Sequence, residues 1–270
     1  MMNAAFTVVG WVDLSATATL AGGLVWGALV GERSATGTRA LRAAAAMLAL
    51  ALAAAFCLTA LRMREVSEVR GTALVADLAA TRWGRLWLVR CAGLAALAAS
   101  TRFGALLVPP WLLLRSFQGH AGAHGTVPAL IDWTHLLAAS IWIGGLVQLA
   151  LLPRPVAPAT ARRMRTLATT AIVVLVPSGV YGAFLHVQRF DMLWTPYGRT
   201  LIAKVGVAVP LLALGALNHF RHVPALSRGD ASAAARLSRA VGLEVVVAAV
   251  VLLLTALLGV LPMPHVLLSS

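Results

Sequence analysis

Acidic side chains are scarce in this chain: 9 of its 270 residues are Asp or Glu, against 22 Lys or Arg. Charged residues make up 11% of the sequence, whereas 60% is hydrophobic and the mean hydropathy is +0.87. This composition excludes a soluble domain and predicts a polytopic membrane protein embedded in a lipid bilayer. The basic excess is typical of cytoplasmic loops. Because no basic patch is interleaved with aromatic residues, we expect no nucleic-acid partner.

Cysteine is almost absent, and the familiar catalytic motifs are missing. Cys57 and Cys91 both lie in apolar runs and form neither a C-x-x-C metal signature nor an evident disulfide pair. There is no H-E-x-x-H, G-x-S-x-G, P-loop or dinucleotide fingerprint. These absences favour a transporter over an enzyme, without excluding an enzyme, and ATP-driven transport would need a separate subunit.

Apolar runs bounded by arginines or turn residues predict eight membrane-spanning helices in an all-α protein. The predicted spans lie near 8–30, 40–60, 86–101, 103–118, 127–152, 166–187, 200–220 and 237–261. No basic segment precedes the first span, so we expect it to be retained rather than cleaved as a signal. The region 86–118 also admits one long span followed by a re-entrant piece, because Arg102 and the pair Pro109-Pro110 interrupt it.

The distribution of arginine predicts the orientation of these spans. Eight spans place three arginine-rich segments in the cytoplasm, namely 31–42, 153–165 and 221–239. Both termini are then outside. The segment 62–85 carries further arginines on the outer side, and we interpret it as an interfacial amphipathic stretch.

An internal repeat runs through the sequence. Residues near the N-terminus match residues 122 positions later. In order, Trp11, Asp13, Leu14, Gly22 and Gly23 correspond to Trp133, His135, Leu136, Gly144 and Gly145. At an offset of 114, Asp77, Thr81, Gly84 and Arg90 align with Asp191, Thr195, Gly198 and Lys204. The repeat predicts two four-helix units of the same orientation, residues 1–118 and 119–270, of which the first is degenerate.

The two units differ at their polar intramembrane positions. The first has Asp13 and Arg90, which can neutralise each other as a salt bridge, whereas the second has His135 and Lys204, which cannot. Lys204 is also the only lysine beside 21 arginines. A lysine that reaches to the membrane interface is the alternative interpretation of this residue. A histidine hydrogen-bonded to a neighbouring helix is the corresponding alternative for His135.

Most histidines are predicted to converge on the outer side, together with two methionines. The candidate metal ligands are His120, His124, His135, His186, Met192, Met263 and His265. Imidazole and thioether are the ligands expected for copper. A flexible polar loop around His120 and His124 and a frayed C-terminus around Met263 and His265 are the alternatives.

A transport pathway would continue from these ligands through the membrane. Trp142 lies two turns deeper than His135 on the same helical face. Glu244, Asn218 and His219 are expected at similar depth near the cytoplasmic end, where they could relay a metal ion or a proton. Structural pairing of these three groups is the alternative. Lys204 completes the predicted pathway.

Several ordered motifs resemble the copper resistance D (CopD) family. They are Trp133-x-His135-x6-Trp142-x-Gly144-Gly145, Ser178-Gly179, Thr195-Pro-Tyr197-Gly198-Arg199 with Lys204, Leu214-Gly-Ala-x-Asn218, Glu244, and the closing Leu-Pro-x-Pro264. The resemblance is dense over residues 130–265. It implies an eight-helix protein of the bacterial inner (cytoplasmic) membrane that takes up or handles copper, with a periplasmic copper-binding partner of the CopC type.

Each four-helix unit is also similar, more distantly, to the HemJ-type haem-binding membrane proteins. That similarity implies an oxidoreductase in which His135 is an axial ligand of haem b and Lys204 a propionate partner or proton donor. A factor that assembles a copper enzyme is a third interpretation. Copper transport through the second unit is the function that the sequence favours.

Overall fold

The fold is all-helical, as the apolar periodicity predicts. A computed structural model describes residues 2–66, 71–100 and 103–262, and those residues contain no strand. The α-helices are α1 Met2–Leu29, α2 Ala35–Val66, α3 Gly71–Ala80, α4 Arg82–Ala99, α5 Gly104–Gln118, α6 His120–Ala123, α7 Thr126–Ala150, α8 Pro158–His186, α9 Pro196–Leu217, α10 Val223–Ser227 and α11 Ala231–Leu258. A 3-10 helix, Phe190–Trp194, precedes α9, and a π-helix, Asn218–His222, joins α9 to α10.

Six segments of the described chain are long and apolar enough to cross a membrane. They are Met2–Leu29, Ala35–Glu65, Thr126–Ala150, Pro158–His186, Pro196–Ser227 and Ser232–Leu258. The prediction of a polytopic membrane protein is therefore confirmed. The count of eight spans and the outer location of both termini stay predictions.

The region 86–118 forms two separate helices that pack on each other, α4 and α5. They are shorter than the other long helices, and α4 carries three arginines, Arg82, Arg85 and Arg90. Pro109 and Pro110 lie inside α5 without ending it. Upstream, the predicted interfacial stretch contains α3, which buries Leu74 and Leu78 one turn apart and leaves most of its other residues exposed.

Helices α1 and α7 form the centre of the bundle and run in the same direction. A Cβ atom added at Gly22 would lie 2.8 Å from the Cα of Gly144, and one added at Gly144 would lie 2.6 Å from the Cα of Gly22. Just beyond the two helices, the Ser34 hydroxyl donates to the carbonyl of Leu151 at 2.8 Å. Glycine at both positions lets the two helix backbones touch.

Each central helix also packs against the last long helix of the other unit. Trp11 of α1 donates from Nε1 to the Ala249 carbonyl of α11 at 2.9 Å, and Trp133 of α7 donates to the Pro109 carbonyl of α5 at 2.8 Å. These are the packing pairs that two units related by a two-fold axis would make. The division into a unit of residues 1–118 and a unit of 119–270 remains our interpretation.

We call the end of the bundle where α7 begins the upper end and the end where α7 finishes the lower end. Two threonines start the helices that carry the intramembrane cations near the upper end. Thr81 accepts a hydrogen bond from the Gly84 amide at 3.0 Å, and Thr195 accepts one from the Gly198 amide at 3.2 Å. Both are N-caps, and they fix where α4 and α9 begin.

Candidate functional site

Two of the predicted ligands meet at the upper end. The rings of His124 and His186 contact edge to face, with centroids 5.7 Å apart. His186 also stacks on Tyr197, again with centroids 5.7 Å apart, which joins the end of α8 to the start of α9. Met192 is buried in the 3-10 helix just before α9. The side chain of His120 and the residues Met263 and His265 lie outside what the structure describes.

His135 lies deeper in the bundle, against α8. Its Nδ1 is 3.1 Å from the Ser178 hydroxyl. The ring packs onto Gly179, where an added Cβ would lie 3.1 Å from the imidazole Cε1. Since Ser178 and His186 are eight residues apart on α8, they lie about 12 Å apart along the helix axis. The structure therefore brings His124 and His186 together and separates His135 from them.

His135 and Lys204 cannot neutralise each other, but Lys204 has a carboxylate in its surroundings. Asp132 of α7 interacts electrostatically with Lys204, and Lys204 interacts with His135. Asp132 precedes His135 by three residues, so both side chains lie on one face of α7. The sequence comparison of the two units overlooked this carboxylate because its counterpart in the first unit is uncharged Gly10.

The first unit has an ion cluster at the corresponding place. Asp13 accepts a hydrogen bond from Arg90, as predicted, and also forms an ion pair with Arg115 of α5 at 3.1 Å. The Arg90 guanidinium lies over the ring of Trp111, 5.6 Å from its centroid. These contacts bury both ends of the Asp13–Arg90 bridge, with side-chain exposures of 13% and 5%. No titratable imidazole occupies this position, which fits the degenerate character assigned to the first unit.

Trp142 separates the level of His135 from a cavity in the lower half of the bundle. It is 3% exposed and lies about 10 Å below His135 along α7. The cavity has a volume of about 310 Å³ and is lined by residues of α7, α8, α9 and α11 and of the π-helix. Its walls are mostly apolar. Its polar lining includes Asn218, His219 and Glu244.

A chain of hydrogen bonds joins the polar groups of the π-helix to α11. The Asn218 side chain donates from Nδ2 to the Glu244 carboxylate, and its Oδ1 lies 2.7 Å from Nδ1 of His222. His219 points instead toward α8, where its Nδ1 is 3.1 Å from the Thr169 hydroxyl. Glu244 is 1% exposed, so its carboxyl group depends on Asn218 for solvation.

Asn218, His219 and Glu244, the predicted inner group, line the same cavity, and His222 is bonded to one of them. His222, which sequence reasoning did not include, is the residue bonded to Asn218, whereas His219 reaches the cavity without that bond. His219 and His222 lie in a π-helix, whose wider turn points its side chains in directions different from those of an α-helix. No sequence pattern signals a π-helix. The bond of His222, rather than His219, to Asn218 could therefore not be predicted.

Ser178 and Gly179 also gain a role that was not assigned to them. Both appear among the family motifs, yet nothing in their spacing connects them with His135, which lies on another helix. Among the described residues, no three side chains of His, Cys, Asp or Glu come close enough to hold a metal ion together. Among the described candidate ligands, His124 and His186 contact each other, whereas His135 lies apart from them.

The resemblance to the copper resistance D family is confirmed by comparison with known proteins. Residues 158–258 match the model of the family described as "Copper resistance protein D". A curated relative, the "Copper transport protein CutJ" of Bacillus subtilis (strain 168), is 32% identical over 197 residues. That match covers 63% of this chain and 36% of the relative, so the chain spans about a third of the length of the protein it matches. No solved structure matches the chain.

Proposed function

The chain carries a copper resistance D segment over residues 158–258, and we propose that it moves copper across the bacterial cytoplasmic membrane. Copper is the cargo in this proposal rather than a resident cofactor. It enters between His124 and His186, passes His135 and Trp142, and leaves through the cavity beside Asn218 and Glu244. The curated relative is named a copper transport protein, which supports the same substrate.

The observation that carries the proposal is the position of His135. Its imidazole lies between the histidine pair of the upper end and the cavity below Trp142, about 10–12 Å from each along α8 and α7. Imidazole is a good ligand for copper in either oxidation state. A polar side chain at this depth in an apolar helix is costly, and a place on an ion pathway accounts for it.

Weak binding at several positions suits transport better than one tight site. A metal ion held by three or four ligands leaves slowly, whereas an ion that exchanges between positions with one or two protein ligands can move on. Within the described residues, the absence of any three-residue metal cluster agrees with such a path. Met192, Met263 and His265 are proposed as further ligands at the entrance.

Inward movement from the outer face is the proposed direction. The three arginine-rich segments 31–42, 153–165 and 221–239 lie at the lower end, and they hold Arg33, Arg39, Arg42, Arg154, Arg162, Arg163, Arg165, Arg221, Arg228, Arg236 and Arg239. The positive-inside rule then puts the lower end in the cytoplasm and the His124–His186 pair outside. A copper-binding protein of the CopC type on the outer side is the proposed donor.

Haem is the alternative occupant of the His135 position. An axial ligand must face a space large enough for the porphyrin, and the 310 Å³ cavity below Trp142 is lined by Trp142 and not by His135. The third interpretation, an assembly factor for a copper enzyme, predicts copper binding without copper movement.

The experiment compares cellular copper accumulation in wild type, His135→Ala and Asp13→Asn, each normalised to the amount of folded protein recovered from the membrane, because Asp13→Asn is expected to lower that amount. Per folded protein, we expect accumulation to fall at least tenfold in His135→Ala and to change less than twofold in Asp13→Asn. Equal losses in both variants would remove the proposed role of His135. The purified protein is also examined for metal content and visible absorption. A Soret band that disappears in His135→Ala would replace copper transport by the haem function.

A further inference from the structure

Ser178 has more hydrogen-bond contacts than one hydroxyl proton can serve. Its Oγ is 2.7 Å from the Val174 carbonyl, 3.1 Å from the Leu175 carbonyl and 3.1 Å from Nδ1 of His135. A carbonyl oxygen can only accept, so the single hydroxyl proton is directed to the backbone of its own helix. The oxygen is then an acceptor toward the histidine.

It follows that the nitrogen of His135 that faces Ser178 must donate. A neutral imidazole has one N–H, and the Ser178 oxygen places it at Nδ1. The lone pair of the ring is consequently on Nε2.

We propose that Ser178 is the positioning residue that fixes His135 in the Nδ1–H tautomer and so makes Nε2 the nitrogen that binds copper. This inference rests on the proposed copper pathway and names how its central ligand is prepared. A hydrogen-bonded His135 and a copper-binding His135 are then compatible. Nδ1 makes the hydrogen bond to Ser178, and Nε2 binds copper. Ligating histidines are commonly oriented through their second nitrogen.

Gly179 contributes the closeness of the contact. An alanine methyl there would lie 3.1 Å from Cε1 and 3.5 Å from Nδ1 of the ring, so a side chain would push His135 away from Ser178. The pair Ser178-Gly179 therefore supplies both the acceptor and the room for the ring. In the first unit the position that matches Ser178 at the offset of 122 is Phe56, which has no hydroxyl and contacts the ring of Trp87 in a tilted arrangement, with centroids 4.6 Å apart.

The same arrangement recurs at the other imidazoles of the pathway. Nδ1 of His186 is 2.8 Å from the Gly182 carbonyl, which again can only accept. The Thr169 hydroxyl donates to the Arg165 carbonyl at 2.9 Å and is left as an acceptor for Nδ1 of His219. At three histidines of the proposed pathway, Nδ1 therefore faces an acceptor on a neighbouring or its own helix. The acceptor is a backbone carbonyl at His186 and a hydroxyl that itself donates to a backbone carbonyl at His135 and His219.

The first test reads the tautomer directly and needs no copper. Full-length protein is labelled with carbon-13 and nitrogen-15 histidine in detergent or bilayers, and the resonances of His135 are assigned by their loss in His135→Gln. The expected spectrum shows the Nδ1–H form in wild type and a mixture of both tautomers in Ser178→Ala. The Nε2–H form in wild type, or no change in Ser178→Ala, would overturn the inference.

The second test measures copper with matched variants. We expect Ser178→Ala to weaken Cu(I) affinity or accumulation roughly 10- to 100-fold, the effect typical of removing a residue that orients a ligand, and Ser178→Thr, which keeps the hydroxyl, to recover at least part of it. Thr59→Ala is the control, because Thr59 makes the same kind of bond to its own helix, to the Ala55 carbonyl at 2.7 Å. Dependence on His135 without dependence on Ser178 overturns the positioning role alone, whereas copper handling that survives His135→Gln overturns the proposed pathway with it.

Discussion

Gly22 and Gly144 face each other at the point where α1 and α7 cross, each lying against the backbone of the other helix. The carbonyl of Ser140 would lie 1.9 Å from a Cβ at Gly22, and the carbonyl of Ala18 would lie 2.4 Å from a Cβ at Gly144. Both distances are far shorter than any van der Waals contact. Because these partners are rigid helix backbone, a methyl group at either position must separate the helices.

Gly22→Ala and Gly144→Ala are expected to destabilise the bundle. Overpacking of this kind costs about 1–3 kcal/mol or more, and here it also disturbs the packing of every helix around the central pair. The loss is measured as a lower midpoint of thermal unfolding in detergent. Gly182→Ala and Gly206→Ala are the controls, because an added Cβ at those helical glycines meets nothing within 4 Å. A normal midpoint in Gly144→Ala would contradict the close crossing.

Asp13→Asn is expected to destabilise the first unit. The change leaves the buried Arg90 and the partly buried Arg115 beside each other without an anion, and breaking a buried ion pair costs about 3–5 kcal/mol. The measurement is the yield and thermal midpoint of the purified protein. Asp191→Asn is the control, since its ion pair with Arg189 is largely exposed and such pairs contribute about 0–1 kcal/mol. Equal stability of the two variants would show that the cluster is not a structural element.

Lys204→Gln is expected to tighten copper binding at His135. The lysine charge repels a cation at the neighbouring imidazole, and removing a nearby unit charge changes affinity by on the order of tenfold at an effective dielectric constant of about 20. Transport should fall at the same time, because a more tightly held ion leaves more slowly.

A chromophoric Cu(I) chelator measures the affinity, and cellular accumulation measures the transport. Arg199→Gln is the matched control, since Arg199 is an exposed cation one and a half turns earlier on the same helix. If Lys204→Gln weakens binding instead, Lys204 supports the site through Asp132 and does not drive release.

Glu244→Gln and Glu244→Leu are expected to separate charge from hydrogen bonding at the inner end. Glutamine still offers an oxygen to Asn218, so the thermal midpoint should stay close to wild type while copper accumulation falls. Leucine leaves the buried Asn218 amide without its acceptor, which costs about 1–3 kcal/mol, and should lower both. Full accumulation in Glu244→Gln would show that the carboxylate has only a structural role.

The sequence is sufficient to predict the long apolar helices, and the candidate site remains a prediction. Runs of about 20 apolar residues predict spans directly, although α8 begins at Pro158 and not near residue 166. The first turns of α8 are helical, but they contain arginines and are therefore not part of the apolar run from which the span was predicted. The order of His135, Trp142 and Glu244 along the pathway also follows from their depth in apolar runs.

The partners of these residues could not be predicted in the same way. The sequence predicts the Asp13–Arg90 pair because the two polar intramembrane residues of the first unit carry opposite charges. Nothing in the sequence marks Arg115 as a second partner of Asp13. Ser178 is one small polar residue in an apolar helix, and its importance comes from the register between α7 and α8. Such contacts depend on how helices rotate against each other, which an apolar pattern constrains only loosely.

The π-helix at residues 218–222 changes the direction in which the side chains of this helix face. A π-turn contains one residue more than an α-turn. That residue changes the phase of the side chains by about 100° on one side of it. The helix can thereby present the Asn218 amide to the cavity and bond it to the imidazole of His222, four residues further along.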